Sequence, residues 1–391
     1  MEILQEILLG LCRLFLHPLT YIAILVTYFI GLARVKRERK HFRIRVFDFI
    51  YELRFLFWPG LAIGLLLSII TIAVGVVVPI GMIVLIGMLT FILSGPWTFR
   101  WLTPSYIIGL AVIVSLFLPR EAGSDTFTRW MSEAGETNLS SLAILLALLV
   151  IAEGYLIWKY GSRATSPEIF KSKRGLPVGS HISQRLWLVP LFLLIPSEGF
   201  SAPFSWWPLL NINGQEFYFF FVPFSIGFFQ RMKAMHPKQS VEFTGKRVLG
   251  LGIVTAVLAI PASFFPVFTV FIVLVAIVGR EWISISQRLE DARLPFFFTQ
   301  RKNGSIVLGV LPKSPAEAMG IKVGEVIVRV NGEDIAGEQD FYQALQKNRA
   351  LCKLEVLDLN NEIRIVQRAL YDGEHHELGI LFVEDQETSV G

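Results

Sequence analysis

Long apolar stretches dominate the first 280 residues of the chain, and they restrict its possible folds more than any other feature. A helix of roughly 17–25 apolar residues can cross the hydrocarbon core of a bilayer. Candidate stretches lie at about 14–33, 56–77, 78–95, 102–119, 140–158, 186–206, 216–230 and 248–279. The 216–230 stretch is short for a span, and 248–279 either tilts or folds back at 261–266. We therefore predict a polytopic α-helical membrane domain over 1–280, with six to nine helices.

The composition indicates a membrane protein with a different domain at its C-terminus. Hydrophobic residues make up 53% of the 391 residues and charged residues 17%, which is too apolar for an ordinary soluble protein. From Pro295 onward there are ten Lys and Arg against fifteen Asp and Glu, whereas the preceding part has 26 against 17. After the membrane domain we predict a juxtamembrane linker (281–295), a soluble domain (296–385) and a disordered tail (386–391).

Charged loops between the apolar stretches predict the orientation of the chain. Loops 34–45, 159–185 and 231–247 carry seven, six and five Lys or Arg, with one acidic residue each. Loop 120–139 has two positive and four negative residues. Because short basic loops stay in the cytoplasm, the three basic loops are expected there. The segment that enters the C-terminal domain is also basic, so we expect that domain to be cytoplasmic.

Apolar residues recur at helical spacing from the end of the first basic loop onward, at Phe42, Val46, Phe49 and Leu53. This spacing is compatible with a helix that lies in the membrane interface. A plain positive anchor at the end of the first span is the alternative.

The C-terminal domain changes from apolar blocks to alternating strands and short helices. Ser314 before Pro315 is typical of a helix N-terminus, and Asn331-Gly332 favours a tight hairpin turn between two strands. Further elements are predicted as an amphipathic helix over 338–347, a hairpin over 353–370 and a last strand over 377–383. Together they predict a small α+β domain, a partly open β-barrel with two helices.

The segment "SPAEAMGIKVGEVIVRVNGEDI" (314–335) resembles the bacterial form of the PDZ domain. In that form S-P-A, A-G-hydrophobic, x-x-G-D-x-I and N-G follow at fixed offsets. This chain has Met319-Gly320 in place of Ala-Gly and Gly324-Glu325 in place of Gly-Asp, so both glycines are present. The resemblance implies a PDZ-like domain that binds an extended peptide as an added strand. In such a domain the backbone N–H groups of a Gly-containing loop donate hydrogen bonds to the C-terminal carboxylate of the peptide.

Two stretches compete for the role of that loop. One is 378–380, which lies at the end of the domain, so that the strand order would be rotated. The other is 307–310, which runs directly into the S-P-A segment and fits an interior strand better. The predicted peptide-binding residues are Leu378, Gly379, Ile380 and Phe382, with Phe341 and Leu345 on the opposite wall. The spacing of the last two residues also describes core positions.

No catalytic, metal or cofactor motif is present in the sequence, and we predict neither enzymatic activity nor a cofactor. H-E-x-x-H, G-x-S-x-G, a P-loop and G-x-G-x-x-G are all absent. Cys12 and Cys352 lie in different segments, so no disulfide framework or cysteine zinc site is indicated. Glu153 suggests ion coupling, but it lies near Lys159 at the end of its span, where pairing is easier. Nucleic acid and small-molecule substrates are not expected as partners.

The whole chain resembles the MinJ family of division-site proteins from Bacillus-type bacteria. Many apolar spans, short basic loops and one C-terminal PDZ-like domain carry the resemblance, with the opening "LFLHPLTYIAILVTYFIG" (14–31). It implies a multi-pass protein of the cell membrane, in contact with membrane lipids and enriched at septa and poles. It also implies a scaffold that links a DivIVA-like coiled-coil protein to a MinD-like ATPase and other division proteins, so that the MinCD inhibitor of FtsZ assembly acts there. A non-catalytic accessory of a membrane protease or secretion system, which presents client peptides, is the alternative.

Overall fold

The computed structural model describes residues 14–95, 98–121, 125–200, 217–301, 303–348, 351–370 and 378–383. The predicted tail at 386–391 lies outside these residues. The membrane domain has helices α1 (Pro18–Phe42), α2 (Tyr51–Val74), α3 (Ile80–Leu93), α4 (Pro104–Ser115), α5 (Thr126–Gly135), α6 (Leu139–Leu156), α7 (Pro237–Ala262) and α8 (Phe268–Arg293). Of the described helices, α1, α2, α6 with the turn that follows it, α7 and α8 are long and apolar enough to cross a membrane.

A long β-hairpin lies among these helices, and it corrects two expected helical spans. The sheet of the membrane domain contains β1 (Ser166–Lys171), β2 (Pro177–Phe200) and β3 (Phe217–Met232), all antiparallel. The described parts of 186–206 and 216–230 are therefore strands. Both are rich in aromatic and β-branched residues, and each has a proline, Pro190 or Pro223, that disfavours a helix interior. Because both stretches are apolar almost throughout, neither shows a helical or a strand period.

Helix α2 covers the outer edge of β2 and satisfies its backbone groups. The Ser68 hydroxyl accepts a hydrogen bond from the Phe192 amide (2.9 Å), and the Thr71 hydroxyl donates to the Phe192 carbonyl (2.7 Å). The Leu194 amide and carbonyl pair with the segment 76–78 between α2 and α3. A strand at membrane depth requires such partners, because lipid offers none.

Two glycines bring the backbone of α2 onto β2. A Cβ at Gly60 would lie 2.0 Å from the carbonyl oxygen of Leu188, and a Cβ at Gly64 would lie 2.2 Å from that of Pro190. No side chain fits at these distances, so the close contact between helix and strand requires glycine at both positions.

The ends of the helices decide between the alternatives that the sequence left open for 248–279 and for 42–53. The 248–279 stretch folds back on itself, since α7 ends at Ala262 and α8 begins at Phe268. The interfacial helix over 42–53 is wrong, because α1 ends at Phe42 and Arg43 adopts a left-handed backbone conformation with φ of +60°.

Glu153 does not pair with Lys159 as the sequence suggested. Its side chain is fully buried, and its Oε1 lies 2.8 Å from Nε of Arg280 on α8. A buried carboxylate in a span needs such a partner, and here the partner comes from a helix that is distant in sequence. The pair therefore fixes α6 against α8.

The C-terminal domain is a partly open α+β fold, as expected. Its elements are β4 (Phe298–Thr299), β5 (Ser305–Ile306), β6 (Gly309–Val310), α9 (Pro315–Ala318), β7 (Val326–Val330), β8 (Glu333–Asp334), α10 (Glu338–Lys347), β9 (Leu351–Leu357), β10 (Ile363–Ala369) and β11 (Ile380–Leu381). One sheet has the order β10-β9-β7-β5, with β8 beside β7, and β11 pairs with β6. Among the described residues the strands do not close into a barrel. Asn331 and Gly332 have φ of +50° and +89°, which confirms the hairpin turn predicted there.

Candidate peptide-binding site

Residues 378–383 form a loop and a strand, and no described strand pairs with the outer edge of that strand. In the β11–β6 pair Ile380 lies opposite Val310, and the Leu311 amide donates to the Gly379 carbonyl (2.8 Å). Because successive backbone groups of a strand point to opposite sides, the N–H and C=O of Ile380 are directed away from β6. An added peptide strand can pair with these groups.

The competing stretch 307–310 lies inside the domain. The Val307 amide donates to the Glu325 carbonyl (2.8 Å), and the Leu308 amide donates to the Leu381 carbonyl (2.8 Å). Both side chains are fully buried. The outward-facing backbone groups therefore belong to β11, at the end of the domain, and not to 307–310.

Gly379 allows the loop to pack against the S-P-A segment. Its φ of +84° lies in the left-handed region, and a Cβ there would lie 2.3 Å from Cβ of Ser314. Ser314 caps α9 by accepting a hydrogen bond from the Glu317 amide (3.3 Å). The Ala316 amide donates to the Leu378 carbonyl (3.0 Å). The helix N-terminus and the loop, which are distant in sequence, thus form one unit.

A groove of 210 Å³ lies between β11 and α10. On the side of the C-terminal domain it is lined by Leu311, Glu338, Tyr342, Gly379, Ile380, Leu381 and Phe382. Three of the predicted site residues, Gly379, Ile380 and Phe382, are thus among its lining residues. The groove combines apolar walls with the carboxylate of Glu338 at the start of α10.

The other predicted site residues lie behind the groove. Leu378, Phe341 and Leu345 have no exposed surface and belong to the core of the C-terminal domain. The ring of Phe341 packs on that of Phe382, with 5.1 Å between centroids. Tyr342 and Glu338 of the same helix face the groove instead. Glu338 and Tyr342 are four residues apart and share a helical face next to the core face, so helical spacing could have indicated them.

The membrane domain forms the opposite wall of the groove. This wall consists of His41, Phe42 and Ile44, around the end of α1, and of Ile169 on β1. The remaining volume is below the roughly 300–1,000 Å³ of typical ligand pockets, so a peptide strand needs the wall to move. Sequence reasoning missed these residues as part of the site. The apolar residues Phe42 and Ile44 at the end of the first basic loop were the sequence feature that could have indicated this wall.

A buried charge network holds this wall in place. Arg34 of α1 pairs with Glu38 (2.9 Å) and with Glu52 of α2, and Glu52 also pairs with Arg185 of β2. The second oxygen of Glu38 accepts a hydrogen bond from the Val46 amide (2.8 Å). All four charged side chains are at most 5% exposed. Loss of one partner would leave a buried charge uncompensated, which is strongly destabilising.

His181 of β2 joins the two domains by a hydrogen bond. Its Nε2–H donates to the carbonyl of Leu308 (2.8 Å), and its Nδ1 accepts from the Thr165 hydroxyl (2.8 Å). These partners match the neutral tautomer. His181 lies outside the membrane-spanning segments, and burial lowers its pKa to about 4. The imidazole is therefore neutral at physiological pH.

Apolar packing supplies the rest of the contact between the domains. Strand β4 pairs with β2 at 178–179, and a Cβ at Gly179 would lie 2.5 Å from Cδ1 of Leu308. Phe298, Leu308 and Val383 are buried in a cluster against which Phe42 packs. The C-terminal domain is thus docked on the membrane domain at the same place where the groove opens.

Within the described ranges, no group of three His, Cys, Asp or Glu side chains could hold a metal ion. Cys352 of β9 is fully buried, and this burial raises the pKa of its thiol to about 12. A protonated, buried thiol is unreactive. The groove itself presents the backbone of β11, apolar side chains and the carboxylate of Glu338.

A PDZ domain family model matches residues 306–358. This match covers β6, α9, β7, β8, α10 and β9, and it ends before β11, the strand with the open edge. No solved structure matches the chain. The family match identifies the C-terminal domain as a PDZ domain.

The chain is 39% identical to the cell division topological determinant MinJ of Bacillus subtilis (strain 168), over 97% of this chain and 96% of that protein. It is 25% identical to the probable cell division topological determinant MinJ of Lacticaseibacillus paracasei, over 93% of this chain and 95% of that protein. The probable periplasmic serine endoprotease DegP-like of Marinomonas sp. (strain MWYL1) is 38% identical, but over only 15% of this chain and 13% of that protein. The chain belongs to the MinJ family of cell division topological determinants.

Proposed function

We propose that this protein is a membrane-anchored adaptor that links a DivIVA-type coiled-coil protein to the MinCD inhibitor of FtsZ assembly. Membership of the MinJ family supports a role in placing the division site. The observation that carries the adaptor mechanism is the outward-facing backbone edge of Ile380 beside α10. Such an edge recruits an extended segment of a partner through main-chain hydrogen bonds, and side-chain pockets supply the specificity.

The anchoring membrane domain suits an adaptor. Several apolar helices confine the PDZ domain to the membrane plane, so partners held there meet at a high effective concentration. Weak and reversible binding in the groove is then sufficient for recruitment. The protein is proposed to be enriched at septa and poles, where its coiled-coil partner is located.

The closed wall of the groove makes recruitment conditional. A peptide that pairs with β11 displaces the segment around Phe42 and Ile44 or moves the PDZ domain away from it. Partner binding then competes with docking of the two domains, and the fraction of undocked protein limits the apparent affinity.

The PDZ domain is proposed to be cytoplasmic. The basic loops support this orientation, and the fold-back of α7 and α8 supports it too, because it returns the end of α8 to the side on which α7 begins. A reporter enzyme that is active only outside the cell is fused to the C-terminus. Strong activity of this fusion would refute the topology.

The adaptor proposal is tested by crosslinking partners in intact cells and purifying the protein from the membrane. Recovery of a coiled-coil division protein and a Walker-type ATPase supports it. Recovery of only a protease or secretion components supports the accessory alternative, which has the short likeness to DegP-like proteases in its favour. The result thus separates the two functions directly.

A pair of glycine substitutions tests the groove itself. Gly379→Ala and Gly332→Ala both force alanine into a left-handed conformation, with φ of +84° and +89°. Only Gly379 lines the groove, and nothing lies within 4 Å of a Cβ at Gly332. Loss of partners in the first variant and not in the second supports the groove, provided that both variants keep Cys352 protected from thiol reagents.

A further inference from the structure

Over its last three turns, α8 directs several polar side chains into one cavity and exposes three large apolar side chains on the opposite face. The inward face follows helical spacing and lines one cavity, with Arg280, Ser284, Gln287, Arg288 and Asp291. On the opposite face Trp282 is 71% exposed, and Ile285 and Leu289 are also exposed. A helix at a water-exposed surface has the reverse arrangement. The exposed Trp282, Ile285 and Leu289 favour contact with lipid, and the polar side chains on the opposite face favour a polar ligand in the cavity.

The cavity has a volume of 410 Å³, which is within the range of roughly 300–1,000 Å³ of ligand sites. Arg280 is 12 residues after the start of α8, about 18 Å along the helix, and Asp291 is about 16 Å further. A hydrocarbon core is about 30 Å thick. The cavity therefore reaches from the inner half of the bilayer to the level of the headgroups on the side of the PDZ domain.

Aromatic side chains mark the same depth. Trp101 is 38% exposed beside Arg100, a residue that lines the cavity, and Phe229, which also lines it, is 39% exposed. Trp282 lies next to Glu281 on α8. Tryptophan is enriched at the interface between membrane and water, so the cavity opens where lipid headgroups are.

Some of the cavity's charges neutralise one another. Arg280 pairs with Glu153 (2.8 Å), and Arg100 pairs with Glu281 (2.5 Å). The carboxylate of Asp291 accepts the amides of residues 233 and 234. These groups hold the walls together and leave little capacity for a ligand.

Two further cations of the cavity lie outside these ion pairs. Lys233, just after β3, and Arg288 of α8 both line the cavity. Neither makes an ion pair within the part of the chain that the structure describes, and Nζ of Lys233 lies 4.9 Å from the ring centre of Phe170. Two cations that converge on one cavity are suited to a phosphate group. Basic pockets between transmembrane helices bind the headgroups of anionic lipids.

The cavity also has an acceptor that needs a donor. Gln230 of β3 lines it and is 4% exposed. Its Nε2 donates to the Ser240 hydroxyl (2.9 Å), whereas its Oε1 is buried without a hydrogen-bond partner in the described structure. A buried acceptor of this kind is costly unless something donates to it. A hydroxyl group beside the phosphate would supply the donor.

We propose that this cavity binds the headgroup of an anionic glycerophospholipid, with the phosphate between Lys233 and Arg288 and a headgroup hydroxyl donating to Gln230. The acyl chains leave over Phe229 and Trp101 into the bilayer. The Lys233 carbonyl accepts a hydrogen bond from the Phe297 amide (2.9 Å) at the entry to the PDZ domain. A bound lipid therefore braces the junction between α8 and that domain.

Lipid binding is tested on the full chain in detergent by native mass spectrometry and thermal unfolding. Phosphatidylglycerol is compared with phosphatidylcholine of the same chains, and inorganic phosphate and glycerol 3-phosphate serve as soluble anions. Phosphatidylglycerol is expected to bind at least about tenfold more tightly than phosphatidylcholine. Equal binding of the two lipids overturns the proposal, and so does equal protection by the soluble anions.

Matched variants locate the binding. Lys233→Gln with Arg288→Gln is expected to abolish the preference for phosphatidylglycerol. Lys173→Gln with Arg174→Gln removes the same charge from an exposed turn and is expected to leave the preference unchanged. Equal loss in both double variants shows adsorption by net charge and overturns the proposal. Unfolding without lipid serves as the fold check.

A third variant tests the hydroxyl. Gln230→Met is expected to retain binding of anionic lipid but to lose discrimination between phosphatidylglycerol and phosphatidylmethanol, which has the same charge and no headgroup hydroxyl. If the unchanged protein does not discriminate between these two lipids, the assignment of the hydroxyl to Gln230 is wrong.

Discussion

The imidazole Nε2 of His181 lies 2.8 Å from the carbonyl oxygen of Leu308, and this hydrogen bond joins the buried hairpin of the membrane domain to the PDZ domain. His236 makes a second such contact, with its Nε2 3.2 Å from the carbonyl of Val323. Both histidines are at the surface on which the PDZ domain docks. The orientation of the groove towards Phe42 and Ile44 depends on this docking.

Acidification is expected to loosen the docked PDZ domain. Burial lowers the pKa of His181 from its ordinary value of 6.5 to about 4 in the folded protein, so its contribution is present above pH 6.5 and is lost as the pH falls towards 4. The loss is up to about 3 kcal/mol. Burial also lowers the pKa of His236, which acts in the same direction. The protection factors of amides in the interface strands, which are corrected for the pH dependence of intrinsic exchange, should therefore decrease between pH 7 and pH 5.

A His181→Phe variant separates the contribution of this residue. In this variant the PDZ domain is expected to dock more weakly on the membrane domain at pH 7.5. The remaining dependence of docking on pH is expected to come from His236 alone and to be smaller. An unchanged pH response in this variant would assign the effect to other groups.

Gly64→Ala is expected to destabilise the membrane domain. Its methyl group would meet the Pro190 carbonyl oxygen at 2.2 Å, and such overpacking costs about 1–3 kcal/mol or more. Gly250→Ala on α7 is the matched control, since nothing lies within 4 Å of a Cβ there. Thermal unfolding in detergent measures both variants. Equal stability of the two would contradict the close contact between α2 and β2.

Cys352 is expected to resist thiol reagents in the folded protein. The thiolate is the reactive form, and burial raises the thiol pKa from 9.0 to about 12. The stabilising effect of the neutral thiol is present below pH 9 and is lost as the pH rises to about 12. Labelling of a Cys12→Ser protein at pH 8 with and without denaturant measures this protection. Rapid labelling without denaturant would show that β9 is not packed as described.

Ile44→Ala is expected to increase recruitment of partners. Ile44 is 36% exposed and lines the groove from the membrane domain, so its truncation widens the space for a peptide strand at little cost in stability. Ile50→Ala is the control, because Ile50 is 49% exposed in the same segment and does not line the groove. Quantitative purification of crosslinked partners compares the two. Equal recovery would show that the wall does not restrict access.

The sequence predicts the PDZ domain well because its signals are local. Ser314, the Asn331-Gly332 turn and the amphipathic helix over 338–347 each specify their own geometry, and the structure has them where they were expected. The position of Gly379 beside Ser314 is tertiary, and no local pattern predicts it.

The membrane domain could be predicted only in part. In an all-apolar segment such as 186–196, helix and strand have the same composition, and the choice depends on partners such as Ser68 and Thr71 that a local pattern does not contain. The wall of the groove was missed for a related reason. Phe42 and Ile44 look like interfacial anchors until the fold places the PDZ domain against them.

The central claim is that the groove between β11 and α10 holds a division partner, and site-specific crosslinking in dividing cells tests it most directly. A photoreactive amino acid replaces Tyr342, which lines the groove, or Asp334, whose side chain is 82% exposed and which is not a groove residue. We expect a covalent adduct from position 342 with a coiled-coil division protein or a MinD-type ATPase, increased by Ile44→Ala, and none from position 334. Adducts with those partners from position 334 alone, or adducts from position 342 only with a protease or secretion protein, would contradict it.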